Sequence, residues 1–294
     1  MKKLLVILCC VLALQSCNNG NNGNTGTETV NGFDINWSGD LNKNEQAAIK
    51  DMISNMVKVE AGTFYMGAQK DSVEYYNYDE NATSWESPVH EVTVSEFYIN
   101  KYEVTQNLWK AVMGNHNDKN DEYDQWEVEF GKGNKYPAYR ISFEEVETFI
   151  GKLNEYTGLN FALPTEAQWE YAARGGANTQ YTLYAGGDNV LEYAWVYTEN
   201  SNNNINKCSE VGKKNPNTLG LYDMSGNVWE MCQDWYYDYT ADAVENPVGE
   251  AYTGHHVYRG GSWNTNAQQA RVTARYKQGI HYRDYNTGFR LVIE

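Results

Sequence analysis

Hydrophobic and polar positions follow helical spacing in four stretches of the chain. In the first, Ala48, Ile49, Met52, Ile53 and Met56 recur three and four residues apart behind Asn44, which predicts a capped helix over residues 45–55. Thr105 opens a short second helix that runs through Met113 and is stopped by Gly114. The third carries the strongest local signal. Ser142 and Glu145 make a capping box, Phe143, Val146, Phe149, Ile150 and Leu153 share one face, and Thr157-Gly158 ends it. Another box, Thr165 with Gln168, opens the fourth helix, which continues to Arg174 and stops at Gly175-Gly176. Shorter runs read as strands: Val57-Lys58-Val59, residues 62–67, residues 89–94 and Phe97-Tyr98-Ile99. Between Gln69 and Pro88 the text is polar, acidic and aperiodic, which predicts a surface loop. Beyond residue 176, Asn, Gly, Tyr and Trp dominate, so loops with few regular elements are expected, and no repeat of solenoid period is visible.

Composition sharpens this picture. The 294 residues include 24 Tyr and 9 Trp, amphipathic aromatics that with abundant Asn favour turn-rich folds over helix bundles. With 39 acidic against 23 basic side chains the formal charge is −16, and no basic stretch exceeds a pair after residue 3, which argues against nucleic-acid binding. The only long apolar run, residues 4–14, is about half of the roughly 20 residues that a bilayer-crossing helix needs.

That run lies behind Lys2 and Lys3 and ahead of Leu14-Gln15-Ser16-Cys17, and the whole resembles a bacterial lipoprotein signal with its lipobox. The resemblance implies cleavage before Cys17, acylation of that residue, and a cell-envelope protein held on a bacterial membrane, facing the periplasm or the surface. Residues 1–16 are then the signal, and 17–43, rich in Asn and Gly at the start, a flexible tether. The folded domain would occupy 44–294. Cys208 and Cys232 remain in it, either paired in an oxidising compartment or as two buried thiols.

Four segments read together are more specific. They are Val59-Glu60-Ala61-Gly62-Thr63-Phe64-Tyr65-Met66-Gly67; Leu163-Pro164-Thr165-Glu166-Ala167-Gln168-Trp169-Glu170-Tyr171-Ala172-Ala173-Arg174-Gly175-Gly176; Gly220-Leu221-Tyr222-Asp223-Met224-Ser225-Gly226-Asn227-Val228-Trp229-Glu230; and Arg259-Gly260-Gly261-Ser262-Trp263 with Gly288-Phe289-Arg290. In this order they resemble the formylglycine-generating enzyme family, the sulfatase-modifying factors. The resemblance implies one α+β domain of C-type-lectin-like fold with little regular secondary structure. Its active members place two cysteines shortly after the Gly-Gly-Ser-Trp turn, where they hold copper(I) and oxidise a substrate cysteine. A soft monovalent ion selects thiolates. Here that stretch reads Ser262-Trp263-Asn264-Thr265-Asn266-Ala267-Gln268-Gln269-Ala270-Arg271, without sulfur, so copper and the family's oxidase chemistry are not expected, and no catalytic residue is assigned. His90, His116 and the adjacent pair His255-His256 form no same-face ligand set to replace it.

The resemblance also implies a calcium loop, in which the side chains of Asp223 and Glu230 and the carbonyls of Gly226 and Val228 surround the ion; hard carboxylate and carbonyl oxygens suit that cation. Trp229, Ser262, Trp263, Arg271 and Arg275 would line a groove for an extended ligand. The other reading open for Arg275 and Arg290 is an internal salt-bridge set with Glu170, and Trp109, Trp169 and Trp235 read as core. The expectation is a membrane-anchored binding or assembly component taking a protein, peptide or glycan. The alternative is a formylglycine-generating or other oxidative tailoring enzyme of the family.

Overall fold

The computed structural model describes residues 27–114, 126–197 and 207–294. The signal-like segment, Cys17 and His116 lie outside the described residues. In chain order the elements are β1 (Thr27–Val30), β2 (Phe33–Asn36), α1 (Lys43–Ser54), β3 (Met56–Val59), β4 (Gly62–Met66), β5 (His90–Val94), β6 (Phe97–Asn100), α2 (Gln106–Met113), α3 (Phe143–Thr157), β7 (Phe161–Ala162) and α4 (Glu166–Ala173). Then follow α5 (Val190–Tyr193), β8 (Trp229–Trp235), β9 (Val244–Glu245), β10 (His256–Arg259), β11 (Arg275–Gln278), β12 (Thr287–Gly288) and β13 (Val292–Ile293).

Small sheets organise these pieces. Strands run β11-β10-β8-β12 in one, β3-β6-β13-β7 in a second, β4-β5-β9 in a third, and β1-β2 form a separate hairpin. The second sheet joins the two ends of the domain, because β13 pairs antiparallel with both β6 and β7. Helix α4 contacts β4, β5, β8 and β10 and is buried along its whole length. It is the pillar on which the loop-rich half rests. Among the described residues no helix is long and apolar enough to cross a membrane.

Helix starts obey their caps. Ser142 and Glu145 cap α3, Thr165 and Gln168 cap α4, and Thr105 accepts from the Leu108 amide at the head of α2. At α1 the cap is Asn42, not Asn44: its Oδ1 accepts from the amides of Asn44 and Glu45, and the Glu45 carboxylate accepts from the Asn42 amide. Glu45 stands three residues after Asn42, and that spacing decides which Asn closes the box.

Two larger expectations change. The stretch 17–43 is not tether throughout, since residues 27–36 form the β1-β2 hairpin, with Ile35 and Trp37 buried beside Ile49 and Ile53 of α1. Asn31 and Gly32 take φ of 52° and 84°, a left-handed pair that closes a two-residue hairpin. Residues 69–88 are also more than a surface loop. Asp79 and Glu86 are buried from this segment, and Ala82 with them.

Candidate cleft and metal site

The family-like segments meet through buried charge. On α4, Glu166 takes Arg275 in a two-pronged pair, Nε to Oε1 at 2.6 Å and Nη2 to Oε2 at 2.7 Å. Glu170 takes Arg174 at 3.0 Å through Nε, and also Arg259. Between them Trp169 donates from Nε1 to Glu230 Oε2 at 2.7 Å, and Arg290 grips the same carboxylate with Nε at 2.6 Å and Nη2 at 2.5 Å. Burial alone would raise the Glu166 carboxyl, but Arg275 and Arg259 outweigh it and hold the group below its ordinary range. The motif residues are therefore one ion-paired scaffold. Arg275, Arg290 and Glu170 are all in it, although each has a different partner from the others.

The two arginines expected to line a groove are themselves held by carboxylates. Arg271 is 4% exposed, with Nη1 donating to Asp79 at 2.6 Å and to Glu86 at 2.8 Å, and Nη2 donating to Glu86 at 2.9 Å. A buried guanidinium without a carboxylate is too costly, and the 69–88 segment supplies two. Glu86 is drawn below its ordinary range, Arg271 overcoming the effect of burial.

A cleft of about 330 Å³ nonetheless forms here. Trp229, Arg271 and Arg275 line it together with Trp85, Gln268, Gln269 and Tyr276. Trp85 is 43% exposed, and Trp229 stacks on Tyr276 with centroids 5.2 Å apart. Ser262 and Trp263 do not join them. Ser262 is fully buried and donates to Asn264 at 2.8 Å, while Trp263 packs with Phe130 and Tyr285. Gly261 explains how the missing-cysteine stretch is held close: at φ of 75° a Cβ there would sit 2.8 Å from the Ala270 Cα. Trp85, Gln268 and Gln269 carry no sequence signal strong enough to single them out; their role depends on a fold contact across nearly two hundred residues.

The two cysteines are free thiols, both buried, in separate apolar clusters. Cys208 donates to the Phe130 carbonyl. Burial pushes both thiols up, away from the thiolate form that a soft metal needs. Trp109 and Trp169 are core, as the sequence suggests, but Trp235 is only half-buried.

The calcium-loop residues are differently balanced. Asp223 sits at φ of 58°, a region that Asp and Asn tolerate. Its Oδ2 accepts from the Gly212 amide at 2.7 Å, whereas Oδ1 is buried without a partner. Burial pushes its carboxyl up to about 6. Nearby Glu103 is pushed well above the ordinary range by burial, then by Asp223 and Glu230. Three buried carboxylates thus share Arg290, and an orphaned oxygen among them fits a hard cation. Both Glu230 oxygens already accept from Arg290, but Oε1 keeps a lone pair, so Asp223 Oδ1, Glu230 Oε1 and the Gly226 and Val228 carbonyls are the atoms that would hold it. Among the described residues no three His, Cys, Asp or Glu side chains converge as a metal set, so the carbonyls are essential to this reading.

Mixed short helices, several small sheets and a charge-knit, glycine-turned second half define a C-type-lectin-like α+β domain. Residues 41–294 match the sulfatase-modifying factor enzyme 1-like domain, and the chain belongs to that family. It is 32% identical over 238 residues to a protein named Chaperone protein LppX of Paenibacillus barcinonensis, covering 68% of this chain and 81% of that one. A formylglycine-generating enzyme of Streptomyces coelicolor is 34% identical over 141 residues, with 44% of this chain and 45% of the enzyme covered. Among solved structures, Treponema denticola variable protein 1 superposes with a TM-score of 0.66 at 27% identity, covering 91% of this chain and 98% of that one.

Proposed function

We propose that this domain is a binding module of the cell envelope, anchored through lipid on Cys17, which holds an extended polypeptide in the cleft between residues 81–86 and 268–276. The observation that carries the reading is the lining of that cleft. The rings of Trp85 and of Tyr276, which is backed by buried Trp229, offer stiff contact area, and the side-chain amides of Gln268 and Gln269 offer both donors and acceptors, which suits a peptide backbone. Its acid-base equipment is weak. Glu86 is held as a carboxylate of lowered basicity by Arg271, and neither His nor Cys lines the cleft. A relative bears the name of a chaperone, and a polypeptide occupant is in keeping with that name.

The decisive experiment incubates the purified protein with copper(I), oxygen and a cysteine-containing sulfatase peptide, and in parallel selects peptides from a displayed library. The binding reading expects no aldehyde, and selected peptides that lose about tenfold in affinity on Trp85→Ala, since an exposed aromatic anchor in such a cleft is worth one to two kcal/mol. Aldehyde formation would establish the oxidase instead. Radiolabelled palmitate incorporated by the wild type and lost in Cys17→Ala tests the anchor. Calcium, held as described at Asp223 and Glu230, is expected to raise the melting temperature by mass action, and a melting temperature indifferent to chelator and to millimolar calcium removes it from the account.

A further inference from the structure

We propose, resting on the binding role argued above, that the cleft takes its polypeptide by strand addition, the occupant pairing backbone to backbone with the free edge of β11. That strand ends its sheet. The order is β11-β10-β8-β12, and all four residues of β11 pair with β10 in unbroken register, from Arg275 opposite Arg259 to Gln278 opposite His256. In an antiparallel ladder alternate residues turn their N–H and C=O to opposite sides, so either residues 275 and 277 or residues 276 and 278 direct both groups away from β10. Among the described residues no strand meets them there. The cleft runs along this edge, since Ala274, Arg275 and Tyr276 line it in succession. Arg275 turns to Glu166 on α4, whereas Tyr276 turns to Trp229 on the other face of the sheet. A cavity that touches neighbours of opposite facing lies at the margin of the strand.

The side chains that would guard such an edge are tied elsewhere, which is the independent sign of an occupant. Natural sheets blunt an open edge with lysine, proline, a bulge or a covering loop, because unpaired backbone recruits other chains. None of these devices operates on β11. The Lys277 ammonium is drawn over two rings, 4.4 Å from the Tyr236 centroid and 5.4 Å from that of Trp85. Arg275 is locked by the Glu166 carboxylate and by the Trp85 carbonyl, which accepts from Nη1 at 2.8 Å. Tyr276 lies stacked on Trp229. Residues 81–86 do face the edge, but they form the far wall of the cleft, with about 330 Å³ between the two sides. What fits there is a chain that offers amide N–H and C=O at strand spacing, about 3.3 Å per residue. Its side chains would alternate between the Trp85 side and the Tyr276 side. A glycan chain has no such repeat of donors and acceptors.

The probe is a peptide selected on the purified protein from the displayed library and resynthesised as a series, each member with one backbone amide N-methylated. Strand addition expects alternation along the series. Methyl groups on every second amide should weaken binding about tenfold each, and those between should change it less than about threefold, since only every second N–H faces β11. Hydrogen exchange followed by NMR reads the protein's side of the pairing. Saturating peptide should slow exchange of one alternating pair of amides, 275 with 277 or 276 with 278, by about tenfold or more, and leave the other pair, already bonded to β10, unchanged. Peptides whose binding responds evenly or not at all to N-methylation, or that leave the β11 amides exchanging as before, would overturn strand addition and leave the binding role standing. Selection of no peptide at all would overturn both.

Discussion

Around Arg259, Arg271, Arg275 and Arg290, every guanidinium is buried against carboxylates contributed by α4, β8 or the 69–88 segment. Asp223 and His256, by contrast, meet no such counter-charge in a direct pair, and each keeps one buried polar atom without a partner, Oδ1 and Nε2; Arg259 also has an unpartnered Nε, but its Nη atoms are paired. Both regions are buried, and both lie on segments that carry the family likeness or border it. Their contrast separates two uses of buried polarity. Charge met by opposite charge fixes which loops touch which, and so specifies a fold poor in regular structure. A polar atom left unpaired in the same interior is a cost, and at Asp223 a bound hard cation would offset it.

The largest effect should come from breaking the paired region. Glu166→Ala strips the carboxylate from Arg275 and removes one neighbour of Arg259, leaving positive charge in an interior that cannot solvate it. A loss of about 3–5 kcal/mol is expected in urea denaturation, the usual cost of orphaning a buried charge. A loss under about 1 kcal/mol would mean that water reaches Arg275, and the contrast drawn above would fail.

Much of the paired region was legible beforehand, for a physical reason. Helix caps are local, so Ser142 with Glu145 and Thr165 with Gln168 mark their helices within four residues. Glu166, Trp169, Glu170, Glu230 and Arg290 lie in short ordered segments whose likeness to a family carries the long-range information that spacing lacks. Where no such segment helps, the reading falters. Asp79 and Glu86 looked like solvated loop acids because nothing local reveals Arg271, which lies 185 residues beyond Glu86. Asn31-Gly32 did have a local signal, a two-residue hairpin turn between apolar positions, but it was submerged in the Asn- and Gly-rich text before it. His256 is the hardest case. Its neutral form follows from burial between Phe143 and Trp235, which no local pattern announces.

The unpaired region should reveal itself in pH dependence of smaller amplitude and of opposing signs. His256 has its folded value lowered to about 4 by burial, so its contribution is fully present above its ordinary value and is lost as pH falls through 4. His256→Phe should flatten that acid limb by up to about 3 kcal/mol. Asp223 runs the other way. Its folded value is raised to about 6 by burial, so the stability it contributes is full below the ordinary carboxyl value and is lost as pH rises through 6. Asp223→Asn, which the left-handed backbone tolerates, should therefore raise stability at neutral pH by about 2 kcal/mol in calcium-free buffer and by less when calcium is present. Equal gains with and without calcium would place the ion elsewhere.

The smallest effect tests whether pairing within the first region is graded. Arg271 has two carboxylates, and Glu86 meets it through both oxygens while Asp79 adds a single contact. Asp79→Asn keeps an oxygen at that position and leaves Glu86 to neutralise the guanidinium, so the loss should stay near 1 kcal/mol, about that of one hydrogen bond. Glu86→Gln removes the two-pronged partner and should cost clearly more in the same denaturation experiment. If the two variants lose stability equally, Arg271 depends on total negative charge and not on the fork geometry of Glu86. The 69–88 segment would then act as a diffuse counter-charge, and the distinction between paired scaffolding and unpaired sites would have to be drawn from charge alone.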